Sequence, residues 1–258
     1  MANALSIPDL DGKAVLITGA GTGIGAALAR GFAAQGAKVI VHYHSSEAAA
    51  NAVRDDIAAR GGTAALVKGD VAKMDQCARI VAEAAQAFGR LDGVINNAGL
   101  MLGRVFSLEA SQSHVDDVID LNVRSVIAVT RAALPWLEKN GGFVINTTSV
   151  AARNGGGNGA ILYAAAKGFV STVTRGHAKE LISRKIRVNG VAPGLIATPF
   201  HERYTDAETF QAQIKGIPMG RAGTPEDCVG AYLFLASDML SGYVIGQIIE
   251  VNGGQLMP

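Results

Sequence analysis

The sequence predicts an α/β fold of three layers, a doubly wound parallel sheet of seven strands covered on both faces by helices. Three observations carry that expectation. Short β-branched runs alternate with Ala-rich helical stretches from one end of the chain to the other. The strand-like runs are apolar without clean alternation, as strands buried on both faces must be. Apolar residues make up 49% and charged residues 17% of the 258, enough for a large core and no signature of disorder.

The elements follow in order. AVLIT (14–18) reads as the first strand, and GIGAALARGFAAQG (23–36) as a helix stopped by Gly36. KVIVHY (38–43) is a strand, followed by a helix over 45–62 capped at Ser45 or Ser46. AALVKGD (64–70) and the helix 74–89 make the next unit, and DGVINNAG (92–99) is a strand running into a loop. A long helical region spans about 107–139, with Pro135 set to bend it near its end. GFVINTTS (142–149) is a strand, 162–181 a helix, and IRVNGVAPG (186–194) a strand and turn. The helix 225–237 and the strand GQIIEVNGG (246–254) close the chain. No linker, low-complexity block or short repeat interrupts this alternation, so residues 1–258 read as a single domain. The stretch 195–220 is polar, aromatic-bearing and without regular pattern; it follows the sixth strand, where loops carry function, and is the candidate substrate lid.

Charge narrows the function. The net charge is +1 with no basic block, which argues against a nucleic-acid groove or an anionic membrane partner. Cys77 and Cys228 lie far apart without metal-ligand spacing and read as small core residues in a reducing compartment; no metal site is expected. The N-terminus MANALSIPDLDGK lacks the features of a signal peptide, and no apolar run approaches membrane-spanning length, so a cytoplasmic protein is expected.

Residues 18–25 read TGAGTGIG, between a strand and a helix. This glycine-rich run, Gly19, Gly21, Thr22, Gly23, Ile24 and Gly25, would let backbone amides approach a pyrophosphate at the positive end of a helix. The same run could be a bare tight turn; its place after the first strand favours a dinucleotide. About twenty residues on, where an acid would bind a ribose 2′-hydroxyl, stand Tyr43, His44, Ser45 and Ser46, with no carboxylate. That favours NADP(H), and NAD(H) stays open because no cation occupies the turn itself.

Tyr163 and Lys167 lie four apart in YAAAK and share one helix face. A free tyrosine, with pKa about 10, is a poor acid–base group at neutral pH. Lowering it by about three units needs about 4 kcal/mol, which one ammonium at about 4 Å supplies in a dielectric near 20. Ser149 ends the preceding strand, and the glycine run 154–159 can fold it back toward Tyr163. Taken singly, each is also an ordinary surface or core residue.

Together these pieces resemble the short-chain dehydrogenase/reductase family over nearly the whole chain. The resemblance is carried by TGAGTGIG (18–25), GDV (69–71), NNAG (96–99), Asn122 in DLNV, TTSV (147–150), YAAAK (163–167), APGLIATP (192–199) and IGQIIEVNGG (245–254). It is nearest to 3-oxoacyl-[acyl-carrier-protein] reductases and broad-substrate ketone reductases. It implies a three-layer doubly wound Rossmann fold with a seven-stranded parallel sheet, binding NAD(P). It implies a catalytic tetrad of Asn122, Ser149, Tyr163 and Lys167: Tyr163 as general acid–base, Ser149 polarising the substrate carbonyl, Lys167 lowering the tyrosine pKa and holding the nicotinamide ribose, Asn122 keeping a water in the proton relay. Asp70 and Val71 then sit by the adenine, Asn97, Ala98 and Gly99 by the ribose, and Pro193, Gly194, Ile196 and Thr198 by the nicotinamide. A homotetramer is implied as well, through the long helices and the last helix and strand.

The chain departs from the family in three places. The Ser149–Tyr163 gap is one residue longer than usual, Asn252 stands where an aspartate is common, and the second strand ends with neither the NAD-type acid nor a strong NADP-type cation. The expected reaction is hydride transfer between a carbonyl and a secondary alcohol, the carbonyl compound being a small molecule or a carrier-bound acyl chain. Leu100, Met101, Val150, Ile161, Leu162, Leu195, Phe200, Tyr204 and Phe210 are pocket candidates, and Arg104, Arg153 and Arg203 a candidate rim for an acidic carrier. The alternatives are an NAD-dependent sugar or steroid-type dehydrogenase of the same family and a nucleotide-binding regulator without turnover. A sugar-nucleotide epimerase or dehydratase would need a longer chain.

Overall fold

The computed structural model describes residues 6–257. Its sheet has seven parallel strands: β1 (Ala14–Ile17), β2 (Lys38–Tyr43), β3 (Thr63–Lys68), β4 (Gly93–Asn96), β5 (Gly142–Thr147), β6 (Ile186–Pro193) and β7 (Ile248–Val251), in the order β3-β2-β1-β4-β5-β6-β7. The chain winds outward from β1 to β3, returns to lay β4 against the other side of β1, and winds outward again. The reversal opens a crevice beyond the C-terminal ends of β1 and β4.

Alternate strand residues face opposite layers. Val15 and Ile17 of β1, with Val39 and Val41 of β2, pack against α1 (Gly23–Ala34), α2 (Glu47–Ala59) and, after β6, α10 (Pro225–Ala236). Ala14, Leu16 and Ile40 face α3 (Met74–Phe88), α5 (Ser125–Leu137) and α7 (Ile161–Leu181). Phe32, Phe143 and Tyr232 are fully buried on the first face, and Cys77 and Cys228 lie in the two cores as free thiols. Among the described residues no helix is long and apolar enough to cross a membrane.

The helical region expected over 107–139 begins later and is broken. Ser111 caps α4 (Gln112–Ile119) by accepting the His114 amide at 3.2 Å. A π-helical turn at Asp120–Arg124 follows, and α5 then runs past Pro135 to Leu137. Residues 195–220 are not irregular either: they hold α8 (Pro199–Tyr204), with Pro199 preset for a first helical turn, and α9 (Ala207–Ile214), capped by Asp206. Two further short helices escaped the sequence reading, α6 (Ala151–Asn154) and α11 (Asp238–Ser241).

Gly93 pairs with Phe143 across β4 and β5, and a Cβ at Gly93 would stand 2.1 Å from the Phe143 ring. The ring fills the space a side chain would need. Gly93→Ala is therefore expected to destabilise the protein by about 1–3 kcal/mol through overpacking, read as a lowered denaturation midpoint. An unchanged midpoint contradicts this packing.

Candidate active site

One cleft of about 910 Å³ runs along the C-terminal edge of the sheet. The turn after β1 forms its floor. Gly25 permits that turn, since a Cβ there would lie 2.3 Å from the Gly19 carbonyl and 2.7 Å from Asn97 Nδ2. Asn97 itself donates from Nδ2 to the Thr18 carbonyl at 3.0 Å, and Thr18 Oγ1 accepts the Asn97 and Ala98 amides at 2.9 and 3.0 Å. The loop after β4 is thereby bolted to the glycine turn. The first-turn amides of α1, at Gly23, Ile24 and Gly25, have no intrahelical acceptors and form the electropositive end of a helix.

The other expected residues line the same cleft. Gly21 and Thr22 continue the floor, and Tyr43, His44 and Ser45 stand at the end of β2. Asp70 and Val71 follow β3, Ala98 and Gly99 follow β4, and Pro193, Gly194, Ile196 and Thr198 lie at and beyond the end of β6. Ser46 occupies the cap position of α2, yet its side chain makes no capping bond, so its hydroxyl is uncommitted to the helix.

Ser149, Tyr163 and Lys167 meet at the centre of the wall. Ser149 Oγ accepts the Ala151 amide at 3.1 Å, a bond that starts α6, and it is also hydrogen-bonded to the Tyr163 hydroxyl. Lys167 is 3% exposed; its Nζ donates to the Thr147 carbonyl at 2.8 Å and lies 5.7 Å from the centre of the Tyr163 ring. Burial holds this ammonium down to about 8.

The Tyr163 ring is half-buried, but its oxygen is closely surrounded, and burial pushes the phenol up to about 12 against the lowering effect of Ser149. Here the structure departs from the expectation that Lys167 acidifies the tyrosine. The physical reason is direction: the ammonium is turned to the Thr147 carbonyl and sits at the ring rather than being bonded to the oxygen.

Asn122 is fully buried behind the cleft wall, in the π-helical turn. Its Nδ2 donates to the Leu100 and Val118 carbonyls at 2.9 and 3.0 Å, while Oδ1 is buried with no partner among the described residues. A Cβ on Gly99 would fall 2.7 Å from this Oδ1 and 3.0 Å from Lys167 Nζ. One amide oxygen and one ammonium thus face a single point, kept open because residue 99 has no side chain.

Of the apolar candidates, Leu100, Met101, Val150, Leu195 and Phe200 line the cleft. Ile161, Leu162, Tyr204 and Phe210 do not: Ile161 is 52% exposed, and Tyr204 and Phe210 support the wall from behind, against Phe200 and His201. Phe200 packs 5.5 Å from the Tyr163 ring. The basic candidates also separate. Arg104 and Arg203 line the mouth, whereas Arg153 is drawn away to Glu250 at 3.5 Å. Arg104 donates to the carbonyls of Tyr204 and Asn158 and to Thr205 Oγ1, tying α8 and the glycine loop to the loop after β4.

Sequence reasoning missed His42, which lines the cleft and is 2% exposed. A histidine inside an apolar strand was the available signal, because both of its nitrogens must find partners once buried.

The family model described as enoyl-(acyl carrier protein) reductase matches residues 19–255. A 3-oxoacyl-[acyl-carrier-protein] reductase of Synechocystis sp. is 39% identical over 249 residues, covering 96% of this chain and 98% of its own. Among solved structures, the NADH-dependent reductase A1-R′ responsible for alginate metabolism aligns with a TM-score of 0.90 at 38% identity, over 97% of this chain and 100% of that one. A short-chain dehydrogenase from Burkholderia cenocepacia J2315, solved in complex with NADP, aligns with a TM-score of 0.89 at 32% identity, over 96% and 99%.

The lowered Lys167 pKa has a measurable consequence. Its folded value of about 8 lies below the ordinary 10.5. Below about pH 8 folded and unfolded chains both carry the proton, and folding bears the full cost of burying a cation. Between about pH 8 and 10 the folded chain binds fewer protons, so the unfavourable contribution of this group shrinks as pH rises. The parent should therefore gain stability relative to Lys167→Met across that window in denaturant melts. A difference that stays flat contradicts the buried-ammonium assignment.

Proposed function

The chain belongs to the short-chain dehydrogenase/reductase family, and from that premise we propose that it is an NADP(H)-dependent reductase that interconverts a carbonyl and a secondary alcohol, with Tyr163 as general acid–base. It is an oxidoreductase by family, and its relatives use nicotinamide dinucleotides. The observation that carries the finer reading is the convergence of Ser149, Tyr163 and Lys167 in the cleft that the glycine turn opens.

The residues fit a dinucleotide. The floor is glycine-rich, the amides of the first turn of α1 lack intrahelical acceptors and are able to donate to an anion, and the orphaned Asn122 Oδ1 shares an open point with Lys167 Nζ. When bound, the dinucleotide supplies or accepts the hydride. Residues 19–25 hold its pyrophosphate, Asp70 and Val71 the adenine, and Asn97, Ala98 and Gly99 the ribose side. Pro193, Gly194, Ile196 and Thr198 flank the nicotinamide. Tyr43, His44 and Ser45 receive the 2′-phosphate, a reading supported by the absence of a carboxylate among them. Ser149 hydrogen-bonds the substrate oxygen, and Tyr163 gives that oxygen a proton in reduction and takes one in oxidation. The Lys167 ammonium lowers the phenol once turned toward it, by about 4 kcal/mol at about 4 Å. The tetrad is completed by Asn122, whose Oδ1 orients a water toward Lys167.

The substrate we favour is a 3-oxoacyl chain on an acyl-carrier protein, as the Synechocystis relative's name indicates for that protein. Residues 195–220 act as the lid, with Phe200 over Tyr163 and Arg104 as its fastening. An NADH-dependent reductase of a sugar-derived carbonyl is the second reading, supported by the similarity to the alginate-metabolism enzyme. We propose a cytoplasmic homotetramer; exposed Phe169 on α7, with Met239, Leu240 and Tyr243 ahead of β7, offers apolar surface for assembly, and the two free thiols suit a reducing compartment.

Tyr163→Phe should lower ketone-dependent NADPH oxidation by about 10²–10⁴-fold while leaving the NADPH dissociation constant within about twofold, as expected for loss of a general acid. Parent-level turnover in that variant overturns the mechanism. Tighter binding of NADH than NADPH by the parent overturns the cofactor preference and favours the second reading.

A further inference from the structure

We infer that His42 is a positioning residue for the dinucleotide, a buried crosspiece that fixes the spacing between the pyrophosphate turn and the adenine side of the cleft. The inference rests on the dinucleotide reading above. β2 lies between β1 and β3 in the sheet, so the end of β2 is flanked by the turns that follow both neighbours. His42 uses both ring nitrogens to join them. Nδ1 accepts the Gly19 amide at 3.1 Å, and Nε2 donates to the Gly69 carbonyl at 3.0 Å.

Both partners are backbone groups with fixed roles: an amide only donates and a carbonyl only accepts. The imidazole is therefore neutral and carries its proton on Nε2. The backbone strengthens the joint, since the His42 carbonyl accepts the Ala20 amide at 2.8 Å and the next carbonyl, that of Tyr43, accepts the Gly69 amide at 3.0 Å. Burial agrees with the neutral form, holding the ring down to about 4.

The consequence for binding is specific. Gly19 has φ +64°, and its amide is committed to His42. The anion cradle is thus left to the amides further along the turn and at the start of α1, and their position depends on where Gly19 is pinned. At the other end of the ring, Gly69 precedes Asp70, whose carboxylate accepts the Ala72 amide at 2.9 Å and shapes the adenine wall. A side chain at position 42 that cannot bridge lets these two walls relax independently. The reacting atoms lie across the cleft on α7 and are untouched.

The test compares the parent with His42→Leu and His42→Asn, reading NADPH dissociation constants by fluorescence, ketone KM and kcat at saturating NADPH, and Gly19 amide hydrogen exchange in the dinucleotide-free parent. His42→Leu leaves a buried amide and carbonyl unpaired and should weaken NADPH binding by about tenfold or more. Its kcat and ketone KM should stay within about twofold, because no reacting group moves. The carboxamide introduced by His42→Asn can still accept from the Gly19 amide but does not reach the Gly69 carbonyl, so that variant should recover part of the affinity. In the parent, the Gly19 amide should exchange far more slowly than an unprotected peptide. Parent-like NADPH affinity in a folded His42→Leu protein overturns the inference, as does a parallel loss of kcat and ketone affinity, or no recovery in His42→Asn. Should His42→Leu not fold, an unprotected Gly19 amide in the parent overturns it without any variant. A parent that binds no dinucleotide overturns the cofactor reading instead, and the Gly19 exchange result still judges the bridge.

Discussion

A lysine ammonium buried to 3% exposure beneath a tyrosine ring is the constraint on which the site depends. Burying a cation costs several kcal/mol unless polar partners replace water. Here the Thr147 carbonyl provides one partner, and the open point shared with Asn122 Oδ1 leaves room for others. The same burial that lowers Lys167 from 10.5 to about 8 raises Tyr163 from 10.0 to about 12, favouring the neutral form of each group.

The sheet makes this burial geometrically possible. Thr147 ends β5 and Ser149 follows it, α7 packs over that strand's end, and the reversal of strand order between β1 and β4 opens the cleft beside them. The π-helical turn widens the backbone between α4 and α5 where Asn122 must reach behind Gly99. On the other side of β1, His42 holds the glycine turn to the end of β3. The wall that holds Ser149, Tyr163 and Lys167 and the wall at the end of β2 are therefore set by different side chains, and Asn97 ties the loop after β4 to the turn after β1.

Most of the order of strands and helices could be read from the chain because apolar strands and Ala-rich helices differ in period over many residues. The convergence of Ser149, Tyr163 and Lys167 was legible for a similar reason: a helical spacing of four and a strand end are local facts. Features set by tertiary direction were not. The π turn adds one residue to a helix whose composition runs on unchanged, so 107–139 reads as continuous. The two short helices of 195–220 did leave marks, Thr198-Pro199 and Asp206 before Thr209, but short helices carry little periodicity. Spacing placed Lys167 on the face of Tyr163 without saying that its ammonium would turn to Thr147, and the strand pattern treated His42 as filler.

The central claim is that Tyr163 is held neutral by burial in the free protein and is brought toward working range only when the loaded cleft turns the Lys167 ammonium to it. The direct measurement is the ultraviolet phenolate titration of Tyr163, taken as the difference between the parent and Tyr163→Phe, with and without saturating dinucleotide. The account predicts no Tyr163 phenolate in the free protein near pH 10, about where an ordinary tyrosine is half ionised, and a clear downward shift on loading. Ionisation at the ordinary value in the free protein, or an identical titration in both states, would contradict it.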